Sequence, residues 1–157
     1  MNKVIGWIGV GSMGSRMAAN LSKGGYPLII ADKINTELAP KGAEIAHNNE
    51  ELSKKAETVI FSVPAGPDTL TIAKEFINTP DSIVKTVIDT STIGIPHAKE
   101  AFELFKTHGI EYIDAPVSGG IAGAEAGTLA VMVGCQLNSF NTVKPILGCI
   151  GQNVIHV

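Results

Sequence analysis

Short apolar runs rich in β-branched residues recur along the chain at 4–8, 28–31, 58–63, 84–88, 110–113 and 129–133, and a last one, 154–156, ends it. Most are continuous rather than alternating, which predicts strands covered on both faces, as in a parallel sheet flanked by helices. Between them the period becomes helical. In Ser12–Lys23, Met13, Met17 and Leu21 recur at four-residue intervals, and Gly24 and Gly25 are placed to end that helix in a left-handed conformation. Asn49 is expected to cap a turn in which Glu50 and Glu51 stand four residues before Lys54 and Lys55, with Leu52 and Ala56 facing inward. Pro96 suits a first helical position, Ala98, Ala101, Phe102 and Phe105 line one side, and Gly109 closes the segment. Over 139–150, Phe140, Val143, Leu147 and Ile150 repeat the pattern, while Pro145 removes one internal hydrogen bond. Strand and helix taking turns predict an α/β chain with a doubly wound sheet.

Candidate chemistry begins where the first predicted strand meets the first predicted helix, at Gly9-Val10-Gly11-Ser12-Met13-Gly14. In that context a first glycine permits a tight turn, a second admits a pyrophosphate to the backbone, and a third lets helix pack on strand; free amides at the helix start meet the anion. Asp32 closes the second run at roughly the 20-residue spacing of the acid that binds an adenosine ribose. A carboxylate there repels the extra phosphate of NADP, so the cofactor expected is NAD rather than NADP, although Lys33 alongside softens the repulsion. Strand, glycines, helix and acid together outweigh a glycine turn packed for its own sake and an aspartate that merely caps. They specify the fold class as a Rossmann-type, mostly parallel sheet with helices on both faces.

Ligands of such sheets lie beyond the carboxyl ends of the strands. Val63-Pro64-Ala65-Gly66 follows one strand and is placed to run along the cofactor, though an ordinary Pro/Gly turn reads as well. Asp89-Thr90-Ser91-Thr92 offers hydroxyls and amides near the expected nicotinamide, or plain helix capping by Ser91 or Thr92. Asp114-Ala115-Pro116-Val117-Ser118-Gly119-Gly120 is either an anion-binding nest for a carboxylate or a flexible crossover loop.

Composition narrows the partners. A net charge of −3 and a pI near 5.8 leave no basic surplus for nucleic acid or an anionic membrane. No apolar stretch approaches the roughly 20 residues of a membrane span, and the glycines and Arg16 of the opening segment argue against a signal peptide. Cys135 and Cys149 lack the spacing of a metal or redox pair, so a reducing cytoplasm is expected and no metal site.

Three stretches carry a family resemblance: Gly9 to Gly14 with Met17-Ala18-Ala19-Asn20-Leu21, Asp114 to Gly120, and Gly127-Thr128-Leu129-Ala130-Val131-Met132-Val133-Gly134. Together they resemble the β-hydroxyacid dehydrogenases, which include 3-hydroxyisobutyrate dehydrogenase. The resemblance implies hydride transfer between NAD(P) and a small β-hydroxy acid or its semialdehyde. It implies that Gly9, Val10, Gly11, Ser12, Met13, Gly14, Asp32, Val63, Pro64 and Thr92 hold the cofactor and that Ser118, Gly119 and Gly120 hold the substrate carboxylate.

In that family the strand matching 154–156 leads into a helix with the catalytic lysine, and then into an all-helical dimerisation domain. Residues 1–157 are therefore expected to be the dinucleotide-binding domain alone, with that helical domain absent, the lysine beyond Val157 and the full-length parent a homo-oligomer. Alcohol oxidation needs a base within hydrogen-bond reach of the hydroxyl. Lys54, Lys55, Lys99 and Lys106 fall on helices and read as solvated. His97, in the first helical turn after Ser91-Thr92, is the one stand-in, set against an ordinary exposed histidine. The chain alone is thus expected to bind cofactor with little turnover. Two alternatives stay open: an NADPH-dependent semialdehyde or imine reductase, and a catalytically silent dinucleotide-binding or assembly module.

Overall fold

In the computed structural model, which describes residues 2–157, the chain alternates strand and helix almost throughout. The order is β1 (Ile5–Ile8), α1 (Ser12–Lys23), β2 (Leu28–Ala31), β3 (Glu44–Ile45), α2 (Asn49–Ser53), β4 (Thr58–Phe61), α3 (Gly66–Ile77), β5 (Thr86–Asp89), α4 (Ile95–Lys106) and β6 (Glu111–Asp114). It continues with β7 (Val117–Ser118), α5 (Gly120–Ala126), β8 (Leu129–Val133), α6 (Leu137–Leu147) and β9 (Gly151–His156). A 3-10 turn, Thr36–Leu38, precedes β3.

The first six strands form one parallel sheet in the order β3-β2-β1-β4-β5-β6. This is the doubly wound Rossmann order, and it reverses direction between β1 and β4, so the carboxyl ends of those two strands flank the crevice. Successive residues of each strand feed opposite cores. Trp7, Ile30, Ile60, Ile88 and Ile113 pack with α1, α5 and α6, while Ile29, Val59, Phe61, Val87 and Tyr112 pack with α2, α3 and α4. On the second side Phe61 meets Phe76 edge-on with centroids 5.8 Å apart, and Phe105 stacks on Tyr112 at 5.6 Å.

The runs at 129–133 and 154–156 do not extend this sheet. They become β8 and β9 of a second sheet, β7-β8-β9, antiparallel then parallel, joined to the first by a bridge between Asp114 and Gly134. Leu129, Val131 and Val133 are buried while Ala130 and Met132 are not, which is the alternation of a sheet with one covered face.

Local signals are displaced in a few places. Asn48, not Asn49, caps α2, its side chain accepting from the Glu51 amide at 2.8 Å. Glu51 pairs with Lys55 at 3.2 Å as expected, whereas Lys54 turns to Asp81 at 3.3 Å. Gly25 takes the left-handed conformation after α1, with φ +92°. On α4, Ala101 and Phe105 are buried but Phe102 is 44% exposed, with the Lys106 ammonium over its ring. The glycine-rich stretch after Ser118, expected as loop, is the helix α5.

Candidate functional site

The turn after β1 is tied to both neighbouring strands. The Gly9 amide donates to Ala31 O at 3.1 Å, and the Ser62 amide donates to Ile8 O at 2.8 Å. Two of its glycines are required by the chain itself. Gly9 has φ +98° and a side chain there would strike the Ser62 carbonyl; one on Gly14 would strike the Gly9 carbonyl. Gly11 is different: its φ of −72° suits any residue, and nothing lies within 4 Å of where its Cβ would be. It precedes α1, which has no side-chain cap and no acidic residue in its first turn. The first amides of that helix therefore face the crevice without an intrahelical acceptor. An open, uncapped helix start beside a glycine that packing does not require is a fit for a dinucleotide diphosphate.

Asp32 stands at the end of β2 with its carboxylate in use. Oδ2 accepts from the Val10 amide at 2.8 Å, and Oδ1 accepts from the Ile34 and Asn35 amides, each at 2.8 Å. Partial burial pushes its pKa up, but the three amides outweigh that and hold it below the usual carboxylate range. The aspartate thus fastens the glycine turn and caps its own loop, and of its roughly four lone-pair directions about one is left for a ribose hydroxyl.

The loops after β4 and β5 are linked. Thr90 donates from both its amide and its hydroxyl to Phe61 O, at 2.9 and 2.7 Å, and the Val63 amide donates to Ser91 Oγ at 2.9 Å. Beneath them lies a polar network in the core: Asp89 is wholly buried and accepts from the Ser91 amide at 3.0 Å, Thr69 Oγ1 at 2.8 Å and Tyr112 OH at 2.9 Å. Burial raises its pKa against the pull of those donors, and burial together with the Asp89 charge raises that of Tyr112. The sequence reading passed over this network. Its signal was a carboxylate closing the apolar strand Thr86–Asp89.

Thr92 is exposed beyond Ser91, at the rim of a cleft of about 670 Å³ that also holds Asp114, Lys99 and Phe102. Asp114 pairs in register with Asp89 across β5 and β6, and burial, followed by the Asp89 charge, raises its pKa to about 6. Val63 is half-buried and Pro64 exposed. His97 is not an ordinary surface histidine: its ring lies on Gly66 at the start of α3, with Nδ1 3.2 Å from Ile93 O. That contact is a packing role between α3 and α4.

Ser118 ends β7, paired with Ala130, and Gly119 and Gly120 open α5 with φ of +139° and +67°. All three are exposed. Helix α5 packs on α1, where Asn20 Nδ2 donates to Ala124 O at 2.7 Å and Glu125 O at 3.2 Å. Among the described residues no group of three or more His, Cys, Asp or Glu gathers as a metal site, and no helix is long and apolar enough to cross a membrane.

Known proteins resemble this chain in sequence and fold. The chain is 40% identical over 164 residues to a probable mitochondrial 3-hydroxyisobutyrate dehydrogenase of Dictyostelium discoideum, covering 99% of this chain and 50% of that protein. It is 34% identical over 163 residues to the 2-(hydroxymethyl)glutarate dehydrogenase of Eubacterium barkeri, covering 98% and 52%. Among solved structures, Mycobacterium tuberculosis 3-hydroxyisobutyrate dehydrogenase with L-serine superposes with a TM-score of 0.92 at 31% identity, covering 99% of this chain and 54% of that one. The chain spans about half the length of the curated relatives it matches. Residues 4–157 match the family described as the NAD binding domain of 6-phosphogluconate dehydrogenase, and with its Rossmann sheet and glycine turn the chain belongs to that family.

Proposed function

We propose that the chain is the cofactor-binding part of an NAD-dependent β-hydroxyacid dehydrogenase whose substrate is a small β-hydroxy acid or its semialdehyde. The observation that carries this reading is Gly11, left open by the protein's own packing at the mouth of an uncapped helix. Gly9 to Gly14 form the diphosphate turn: the Gly9 and Val10 amides are held by Ala31 O and Asp32, and the amides from Gly11 to Gly14 receive the anion. Asp32 receives a ribose hydroxyl, and its charge sets the preference for NAD over NADP. Val63, Pro64 and Thr92 border the nicotinamide, and Ser118, Gly119 and Gly120 receive the substrate carboxylate. When bound, the nicotinamide supplies the hydride acceptor or donor.

The proton of the alcohol needs a separate acceptor. His97 is committed to packing against Gly66, and Lys99 lines the cleft beside Thr92; the acceptor in our reading is the lysine that the family resemblance implies beyond Val157. On this reading these residues are the dinucleotide-binding domain, and the chain alone binds cofactor without appreciable turnover. The free Cys135 and Cys149 support a reducing compartment, the cytoplasm in our reading.

Calorimetric titration with NADH and NADPH tests this proposal. NADH is expected to bind more tightly than NADPH. Gly11→Val is expected to abolish binding while changing stability by less than about 1 kcal/mol, because the site is open. Undiminished NADH affinity in Gly11→Val would remove the diphosphate from this turn. Tighter NADPH binding would instead favour the reading as an NADPH-dependent reductase, with the exposed Lys33 beside Asp32 as its anchor.

A further inference from the structure

We infer that Asp89 is a positioning residue for the nicotinamide end of the site, setting through Ser91 the placement of the loops that carry Val63 and Thr92. This rests on the reading of the crevice as a dinucleotide site and extends it to a wholly buried residue beneath that site.

A buried carboxylate is expensive unless paired, and no cation is among the hydrogen-bond partners of Asp89; it stands on neutral donors alone. What the carboxylate does is gather three elements on one side chain: Thr69 of α3, Tyr112 of β6 and Ser91 of the loop after β5. It holds Ser91 by the backbone amide at 3.0 Å. The Ser91 oxygen in turn accepts from the Val63 amide at 2.9 Å. The chain of contacts therefore runs from Val63 through Ser91 to Asp89, and only an acceptor at residue 89 holds the Ser91 amide in place. Thr90 already clamps the two loops to Phe61 O. The Asp89 relay adds the orientation of Val63 on one side and of Thr92, the residue after Ser91, on the other.

The test separates the two ends of the dinucleotide. NADH and ADP-ribose share the adenosine and the diphosphate, and only NADH carries nicotinamide. Dissociation constants for both are measured by calorimetry on the chain and on its Asp89→Asn and Ser91→Ala variants, with fold checked by circular dichroism. Asp89→Asn keeps the shape but sets an amide donor in place of one acceptor oxygen, against the Ser91 amide and the Thr69 and Tyr112 hydroxyls. Ser91→Ala leaves the buried carboxylate with Thr69, Tyr112 and the amide of residue 91 but removes the acceptor of the Val63 amide, so it keeps the inference falsifiable if the first variant does not fold. Expected in either variant is ADP-ribose affinity within about twofold of the original and NADH affinity weakened about fivefold or more, the effect of one misdirected hydrogen bond. An unchanged ratio of the two affinities in a folded variant overturns the inference, as does loss of both in parallel, which marks a merely structural role. If the unmodified chain binds NADH no better than ADP-ribose, the inference falls while the diphosphate site stands; if it binds neither, the dinucleotide reading falls as well.

Discussion

Asp114 faces the cleft with a pKa raised to about 6, and the sign of that shift has a measurable consequence. A carboxyl that holds its proton more tightly in the folded chain than at its ordinary value of 3.8 contributes stability below about pH 4 and loses it as pH rises through about 6. Asp114→Asn is therefore expected to be more stable than the parent near pH 7.5, by on the order of 1–2 kcal/mol once solvent screening is allowed for. Near pH 4 the two should coincide. The lowered pKa of Asp32 acts in the opposite sense, but equally in both proteins. Urea unfolding at the two pH values measures the gap, and a gap independent of pH would show that the charge on Asp114 is not its source. At this scale the sequence was legible where a residue's role is backbone geometry, as with the glycines of the first turn. It was silent on partners: nothing local indicates that Asp32 spends three acceptor positions on amides, or that Asp89 and Asp114 come to lie side by side across two strands.

Helices α3 and α4 meet through an unusually close contact, because the His97 ring occupies the space where Gly66 would carry a Cβ. Gly66→Ala is expected to destabilise by about 1–3 kcal/mol through overpacking, although alanine is the better helix former. His97→Ala alone should cost less, and in the double variant it should relieve most of the damage, giving a coupling energy of about 1 kcal/mol or more. Additive effects in denaturant unfolding would contradict the contact. Elements with strong periodicity were legible to the residue, as Ser12–Lys23 and Leu28–Ala31 show. Helix α5 was not, because Gly120 and Gly123 within seven residues carry a helix penalty that reads as loop. It forms because Gly123 and Ala124 are small enough to be buried on α1 and against Leu129, a reason that exists only once the chain has folded. The two-residue strands β3 and β7 are too short for any period to register.

Which sheet a strand joins is a property of the whole molecule, and no residue in β8 or β9 announces that they leave the parallel sheet. Yet the small sheet does not stand apart: Leu129, Val131 and Val133 share one core with Trp7, Ile60 and Ile88, and Val143 and Leu147 of α6 close it. β8 thus serves as part of the covering layer on one face of the main sheet, and stripping it away would expose the most buried strands. From this shared core we expect residues 1–157 to unfold as one cooperative unit. Trp7, the single tryptophan, is wholly buried in β1, so its fluorescence reports the packing of the shared core at that one point, whereas far-ultraviolet circular dichroism averages both sheets and all the helices. In urea the two signals should share a midpoint and a slope, because any loss of the small sheet opens the core around the indole. A circular dichroism transition that begins well before the fluorescence change would mean that β7, β8, β9 and α6 melt first, and that the shared core does not bind the two sheets into one folding unit.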